Sequence, residues 1–327
     1  STLMKKIFIT GATGFIGSHL SEMCVKKGYR VVAFDRYNSN NDYGWLKNSE
    51  YLDKIELILG DIRDYDSVFK SLKNCDTIFH LAALIGIPYS YVSPLAYIKT
   101  NVEGTYNILE AARNKRIKNI IITSTSEVYG SAQYIPIDEK HPLNAQSPYS
   151  ASKIAADQIS MSYYKSYNLP VKIIRPFNTF GPRQSNRAVI PRIITQCLLN
   201  NQSKIKLGNL KPLRDFNYVE DICKAYFYVL KEKKLIGEVV NIGSNTSISI
   251  GNIAKKIVKI TNSNLKIAQD RKIIRPKKSE VNNLKCNNKK IRKMTSWSPS
   301  TSLELGLSKT IEWIDENFSG NDNNYQI

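Results

Sequence analysis

From Lys5 to Arg175 the chain alternates short apolar runs with longer stretches of helical periodicity, and this alternation restricts it to one class of fold. Residues 5–10 (KKIFIT), 30–35 (RVVAFD), 55–60 (IELILG), 76–81 (DTIFHL), 119–124 (NIIITS) and 171–175 (VKIIR) read as strands. They are nearly all apolar, as parallel strands covered on both faces must be. Residues 15–27, 64–72, 95–114 and 149–167 between them read as helices. Such βαβ units with right-handed crossovers build an α/β, doubly wound parallel sheet. After Arg175 the texture changes, because Pro176, Gly181, Pro182, Pro191, Gly208 and Pro212 break the chain into loops and short elements. A helix near residues 219–231 and a strand near 238–242 return to the earlier pattern. The expected division is residues 4–176 and 215–246 for a first domain, and 177–214 and 247–327 for a smaller, discontinuous α/β substrate domain. The helix near 303–317 is expected to pack back on the first domain. Ligands of open α/β sheets sit at the carboxyl ends of the strands.

Of the 327 residues, 42% are hydrophobic and 23% charged, which excludes wholesale disorder. The extreme number is the net charge of +19, which suits either a nucleic-acid binder or a protein handling anionic ligands. Cys24, Cys75, Cys197, Cys223 and Cys286 are dispersed, with no C-x-x-C pair, so reduced thiols and a cytoplasmic location are expected. His19, His80 and His141 have no metal-ligand spacing, and no metal is expected. No apolar run reaches the ~18–20 residues of a membrane span, and no signal peptide is read. Residues 1–3, ahead of Met4, read as an added remnant, and the polar tail 319–327 as frayed.

Gly11-Ala12-Thr13-Gly14-Phe15-Ile16-Gly17 leaves the first strand and opens the first helix. Gly11 permits the tight turn, Gly14 lets backbone N–H groups approach a pyrophosphate, and Gly17 allows close helix–strand packing. With Thr13, Phe15 and Ile16 these form the expected dinucleotide cradle of a Rossmann-type sheet. Asp35 ends the second strand, where a carboxylate would accept bonds from the adenosine ribose and repel a 2′-phosphate. That favours NAD over NADP, against which stands only the neighbouring Arg36. Asp61-Ile62, after the third strand, is either an adenine contact or, in Asp61, a helix N-cap.

Tyr149-Ser150-Ala151-Ser152-Lys153 sets a tyrosine and a lysine four apart on one helix face. Lys153 would lower the phenol pKa by its charge and hold the nicotinamide ribose, leaving Tyr149 as general base toward a sugar hydroxyl. Together with the glycine turn, His80-Leu81-Ala82-Ala83 and Asn101, this resembles the extended short-chain dehydrogenase/reductase family over residues 5–318. The resemblance implies that Leu81, Ala82, Ala83, Asn101 and Thr123 border the cofactor with Tyr149 and Lys153.

Within that family the end of the fifth strand decides the chemistry, and here it reads Ser124-Thr125-Ser126-Glu127-Val128-Tyr129-Gly130. Sugar 4-epimerases need no acid–base residue at the Glu127 position, whereas nucleotide-sugar 4,6-dehydratases do. Once C4 is a ketone, a carboxylate removes the acidified C5 proton and the C6 hydroxyl leaves as water. The resemblance makes Glu127 that base and gives Thr125 a hydrogen bond to O4. The dTDP-glucose dehydratases carry Thr-Asp-Glu, with the Asp as acid; Ser126 stands there instead, as in GDP-mannose dehydratases. A serine is too weak an acid, so Glu127, once protonated, would hand its proton to the C6 oxygen. UDP-glucuronate decarboxylases also carry Thr-Ser-Glu, but usually have Asp-Glu-Gly where this chain has Ser150-Ala151-Ser152.

Residues 175–184 (RPFNTFGPRQ) are similar to the family's substrate-entry segment, which implies that Asn178 contacts a diphosphate while Arg187 and Val189 line a nucleotide pocket. Arg214-Asp215-Phe216, and Arg275-Pro276 followed by Glu280, match two further signatures, with the arginines on the diphosphate and Glu280 on ribose hydroxyls. The planar fork of arginine suits phosphate. Residues 38–46, 84–94 and 147–158 resemble dehydratases of the legionaminic-acid type, which act on UDP- or GDP-linked N-acetylglucosamine for bacterial surface glycans. Gly86, Ile87, Pro88 and Tyr89 would then sit near the hexose.

The expected function is an NAD-dependent nucleotide-sugar 4,6-dehydratase that returns its hydride to C6. A 5,6-ene product, UDP-glucuronate decarboxylation and 4-epimerisation stay open. A non-catalytic NAD-sensing or nucleic-acid-binding protein predicts salt-dependent binding without turnover, and the joint presence of Thr125, Glu127, Tyr149 and Lys153 speaks against it. A homodimer through residues 95–114 and 149–167 is implied by the resemblance. Between Lys266 and Lys293 there are 11 basic and 2 acidic residues, so 11 − 2 = +9 of the +19 surrounds Arg275 and Glu280. That placement suits steering of a dianionic nucleotide sugar; no nucleic-acid or membrane partner is expected.

Overall fold

A computed structural model describes residues 5–37, 43–199 and 203–318. The readings placed on residues 1–4, on the 38–42 part of the segment 38–46, and on 319–327 lie outside the described residues.

Seven strands, β1 (Lys6–Thr10), β2 (Arg30–Asp35), β3 (Ile55–Leu59), β4 (Thr77–His80), β5 (Asn119–Thr123), β6 (Val171–Pro176) and β7 (Val239–Ile242), form one sheet in the order β7-β6-β5-β4-β1-β2-β3. Every neighbouring pair is parallel. The period of two explains the near-continuous apolar runs, since alternate residues feed different cores. Ile7, Ile9, Val31, Ala33, Phe79 and Ile121 enter one core with the Phe15–Lys26 and Val219–Lys231 helices. Phe8, Val32, Phe34, Ile78, Ile120 and Ile122 enter the other with the Tyr65–Ser71, Gly104–Lys115 and Pro148–Tyr167 helices.

The register sets the site. Thr10 pairs with Phe34 and His80, His80 with Ile122, and Thr123 with Ile174. The carboxyl ends of β1, β4, β5 and β6 therefore open on one edge, where Gly11, Leu81, Ser124 and Phe177 begin their loops. Beyond β6 the elements are short: Thr179–Phe180 pairs with Asn217–Tyr218, Leu213–Arg214 with Ile248–Ser249, and Lys204–Leu207 with Lys266–Gln269. Trp313, on the Leu303–Asn317 helix, stands edge-on to Trp45 at 5.4 Å, so the far end of the chain packs on the segment after β2. Among the described residues no helix is long and apolar enough to cross a membrane.

One expected helix differs. The stretch 95–114 is an α-turn at Pro94–Tyr97, a π segment at Ile98–Glu103 and an α-helix at Gly104–Lys115. The wide turn spends one more residue than an α-turn. It carries Asn101, whose side chain is held by the backbone N–H and C=O of Leu84 at 2.9 and 3.0 Å and by Ser152 Oγ at 2.9 Å.

Candidate active site

Gly11 adopts φ +66°, and a Cβ there would lie 2.9 Å from the Ala82 nitrogen, so the turn needs a glycine on both counts. A Cβ on Gly17 would lie 2.0 Å from the Gly11 carbonyl oxygen. A Cβ on Gly14 would meet only that same oxygen at 3.5 Å, an ordinary contact. Among the described residues no atom demands a glycine at position 14, which fits a ligand backing onto the turn. Gly14 is also the N-cap of the Phe15–Lys26 helix with no side-chain cap, leaving the first amides of Phe15 and Ile16 for an anion.

Asp35 Oδ2 accepts from the Thr13 amide at 3.0 Å and the Thr13 hydroxyl at 2.7 Å, while Oδ1 accepts from the Arg36 amide at 2.8 Å. The carboxylate is thus fixed to the glycine turn, and Oδ1 keeps a lone pair for a ribose. Trp45 donates its amide to the Thr13 carbonyl at 3.0 Å. Thr10 Oγ1 accepts from the Leu81 and Ala82 amides, both at 3.0 Å, and holds the loop through Ala83 beside Gly11. Its hydrogen then goes to His80 Nδ1 at 2.7 Å, leaving His80 Nε2–H for Thr105 Oγ1 at 2.9 Å. Burial, and secondarily the Lys153 charge, pushes the His80 pKa down to about 3.

Asp61 is not the cap of the following helix. It forms a 2.7 Å ion pair with Arg63, which lowers its pKa, and Asp64 caps the Tyr65–Ser71 helix. Ile62 is buried where a Cβ on Gly104 would collide with it.

The Pro148–Tyr167 helix starts where Ser147 caps the Ser150 amide and Pro148 supplies the preset φ. Ser150 Oγ donates to the Glu127 carbonyl at 2.8 Å, tying this helix to the turn after β5. That turn, Ser126–Tyr129, is capped by Thr125 Oγ1 accepting the Glu127 amide at 3.2 Å; Ser126 is buried. Tyr149 and Lys153 are 7% and 8% exposed. Lys153 Nζ donates to the Thr123 carbonyl at 2.9 Å, while the Thr123 hydroxyl meets the Tyr226 hydroxyl. The expected lowering of the phenol pKa by Lys153 is a correction: burial raises Tyr149 above its ordinary value, and the opposing influence is a hydrogen bond with Thr125. The ammonium donates to the Thr123 carbonyl, and the Asp157 charge raises its pKa against the lowering by burial.

Across the crevice the predicted substrate residues converge on Glu127. Arg275 Nη1 lies 3.7 Å from Glu127 Oε1 and 4.0 Å from Glu280 Oε1, and Arg214 Nη2 lies 3.5 Å from Glu280. Glu127 Oε2, Arg275 Nη2 and Asn178 Oδ1 are buried without a hydrogen-bond partner. The two orphaned atoms of the Glu127–Arg275 pair are what a polar ligand would satisfy. Arg187 is exposed ahead of the Val189–Leu199 helix and, among the described residues, has no ion pair or hydrogen bond with this cluster.

Gly86 caps the short Ile87–Val92 helix, with Pro88 and Tyr89 exposed, and its carbonyl accepts from the Tyr97 hydroxyl. Tyr97 is buried and edge-on to Tyr149 at 6.3 Å, so this loop reaches Tyr149 through one ring. Tyr91 bridges Ser279 Oγ at 2.5 Å and Arg275 Nε at 3.3 Å. Neither tyrosine has a sequence signal, since its partner is not a periodic neighbour.

Residues 8–310 match the family model described as GDP-mannose 4,6 dehydratase. The chain is 34% identical to a UDP-N-acetyl-alpha-D-glucosaminuronate decarboxylase of Bacillus cytotoxicus, over 96% of this chain and 99% of that protein. It is 32% identical to the human dTDP-D-glucose 4,6-dehydratase, over 96% and 91%. The crystal structure of a UDP-glucuronic acid 4-epimerase from Bacillus cereus, in complex with UDP-glucuronic acid and NAD, superposes with TM-score 0.86 at 29% identity, over 96% and 100%.

Proposed function

Because the chain belongs to the extended short-chain dehydrogenase/reductase family of nucleotide-sugar 4,6-dehydratases, epimerases and decarboxylases, we propose that it dehydrates a UDP- or GDP-linked N-acetylglucosamine to the 4-keto-6-deoxy sugar. The observation that carries this reading is the free Glu127 Oε2, on the turn capped by Thr125 and tied to the Tyr149 helix. NAD, which fits the cradle of Gly11, Gly14 and Gly17 and the Asp35 carboxylate, would accept the C4 hydride and return it. Asp35 repels a 2′-phosphate, so NADP is disfavoured. Tyr149 takes the O4 proton, and Thr125 orients O4. Glu127 removes the C5 proton and passes it to the departing C6 hydroxyl, a task Ser126 is too weak to perform. Arg214 and Arg275 hold the diphosphate end, and the loop at Gly86, Ile87 and Pro88 borders the hexose.

A second reading has its own support. Arg275 Nη2 lacks a partner beside Glu127, and a C6 carboxylate would pair with it, as in decarboxylation of an N-acetylglucosaminuronate. The test incubates the protein with UDP-GlcNAc, GDP-GlcNAc and UDP-N-acetylglucosaminuronate and reads product masses. Loss of one water from either GlcNAc nucleotide supports the dehydratase; loss of carbon dioxide from the uronate alone replaces it with the second reading. A C4-deuterated substrate separates hydride return to C6 from return to C4 with a 5,6-ene.

A further inference from the structure

Behind Lys153 lies a buried charged group that the chemistry above does not use. Asp157, one turn further along the same helix, is 2% exposed. Its Oδ2 accepts from Ser124 Oγ at 2.6 Å and from Arg175 Nε and Nη2 at 3.2 and 3.1 Å, while Oδ1 is buried with no partner. Arg175, on β6, also donates to the Tyr129 hydroxyl at 3.0 Å, and Tyr129 donates to Asn241 Oδ1 at 2.6 Å. One carboxylate thus joins the Tyr149–Lys153 helix, the residue before Thr125, and β6. A buried ion pair adds little over an apolar pair of the same shape, and an unsatisfied buried oxygen is a net cost. Stability alone does not explain this arrangement.

We propose that Asp157 is a positioning residue for the reaction: its charge, anchored by Ser124 and Arg175, holds Lys153 as an ammonium and locks the end of β5 that presents Thr125 and Glu127. The charge environment is small enough to enumerate. Lys153 faces the Thr123 carbonyl from β5, His80 from β4, and Asp157 on its own helix, with Arg175 of β6 behind that carboxylate. Tyr149 faces Thr125, Glu127, Tyr97 and Asp157. His80 is neutral above pH about 3. Burial pushes Lys153 down, and Asp157 is the charge that pushes it back up. The inference rests on Tyr149 and Lys153 being the acid–base pair, and not on which sugar is bound.

The experiment measures Lys153 directly, by trace acetylation with acetic anhydride across pH and peptide mass spectrometry, since only the unprotonated amine reacts. Asp157→Asn leaves Arg175 buried without its counter-charge, so the decisive variant is Asp157→Asn/Arg175→Gln, which removes both charges. In it the labelling half-point falls by about 1–3 pH units, the effect of losing a near opposite charge. On whichever nucleotide sugar the wild type turns over, the alkaline limb of kcat/KM moves with the half-point. A double variant that labels like the wild type overturns the proposal. Absence of turnover with every sugar would instead count against the dehydratase and decarboxylase readings, with the labelling still deciding the role of Asp157.

Discussion

Gly14→Ala and Gly17→Ala separate a glycine needed by a ligand from one needed by the fold. At position 14 the backbone has φ −80° and ψ −168°, open to any residue, and the new methyl meets only the Gly11 oxygen at 3.5 Å. Alanine at an N-cap costs up to about 1 kcal/mol, while the stiffer unfolded chain returns roughly 0.4–1 kcal/mol. The melting temperature without NAD should therefore stay close to the wild type. The ligand response should not: NAD at a hundredfold excess over its Kd stabilises the wild type by about 2.7 kcal/mol, and a methyl group at the pyrophosphate removes most of that. At position 17 the methyl would sit 2.0 Å from the Gly11 oxygen, 2.8 Å from its carbonyl carbon and 2.9 Å from the Ala12 Cα, all backbone. Gly17→Ala should lose about 1–3 kcal/mol or more before any ligand is added. The assay is thermal unfolding of protein stripped of NAD, with and without added NAD. A Gly14→Ala protein with the full wild-type NAD shift would refute the reasoning, because the methyl would then have been accommodated beside the bound cofactor.

Glu127→Gln should lower water elimination by at least about 10²-fold while C4 oxidation, seen as absorbance of reduced NAD in a single turnover, continues; undiminished elimination would remove Glu127 as the base. His80 has a folded pKa of about 3 against an ordinary 6.5, so the unfolded chain binds the extra proton and stability rises with pH across that interval. Between pH 6.5 and 4.5 this amounts to about 2–3 kcal/mol, and denaturant midpoints of His80→Gln should vary less with pH than those of the wild type; equal slopes would contradict it. Val92, Leu95, Ile98 and Tyr106 are exposed along consecutive helical segments, and we propose that they pack in a homodimer. Gel filtration should give twice the monomer mass, falling to monomer in Leu95→Glu/Ile98→Glu, and a monomeric wild type would refute it.

Much of the fold was legible because strands buried on both faces leave a local record. Ile7 and Phe8 serve opposite cores, so the whole of β1 had to be apolar. The glycine turn is legible for a similar reason, since Gly17 answers the Gly11 carbonyl six residues back and Gly11 the Ala82 backbone after the adjoining strand. What failed to show was set by distant partners. Asp61 reads as a possible cap in sequence, but it engages Arg63, and Asp64 caps the helix instead. Helical spacing alone points the Lys153 charge at Tyr149, but the Thr123 carbonyl and Asp157 compete for it. Tyr91 reaches Arg275 across a separation of 184 residues, which no periodicity encodes.

The π segment Ile98–Glu103 sets the phase between two stretches of helix. Upstream of it Tyr97 faces Tyr149 and the Gly86 carbonyl; within it Asn101 clamps Leu84; downstream the Gly104–Lys115 helix packs into the core. An α-helix turns about 100° per residue. Deleting any one residue here would regularise the hydrogen bonding and at the same time swing Tyr97 away from Tyr149 by roughly that angle. The segment is therefore more permissive of what its residues are than of how many there are, and its length acts as a timing element for the active site.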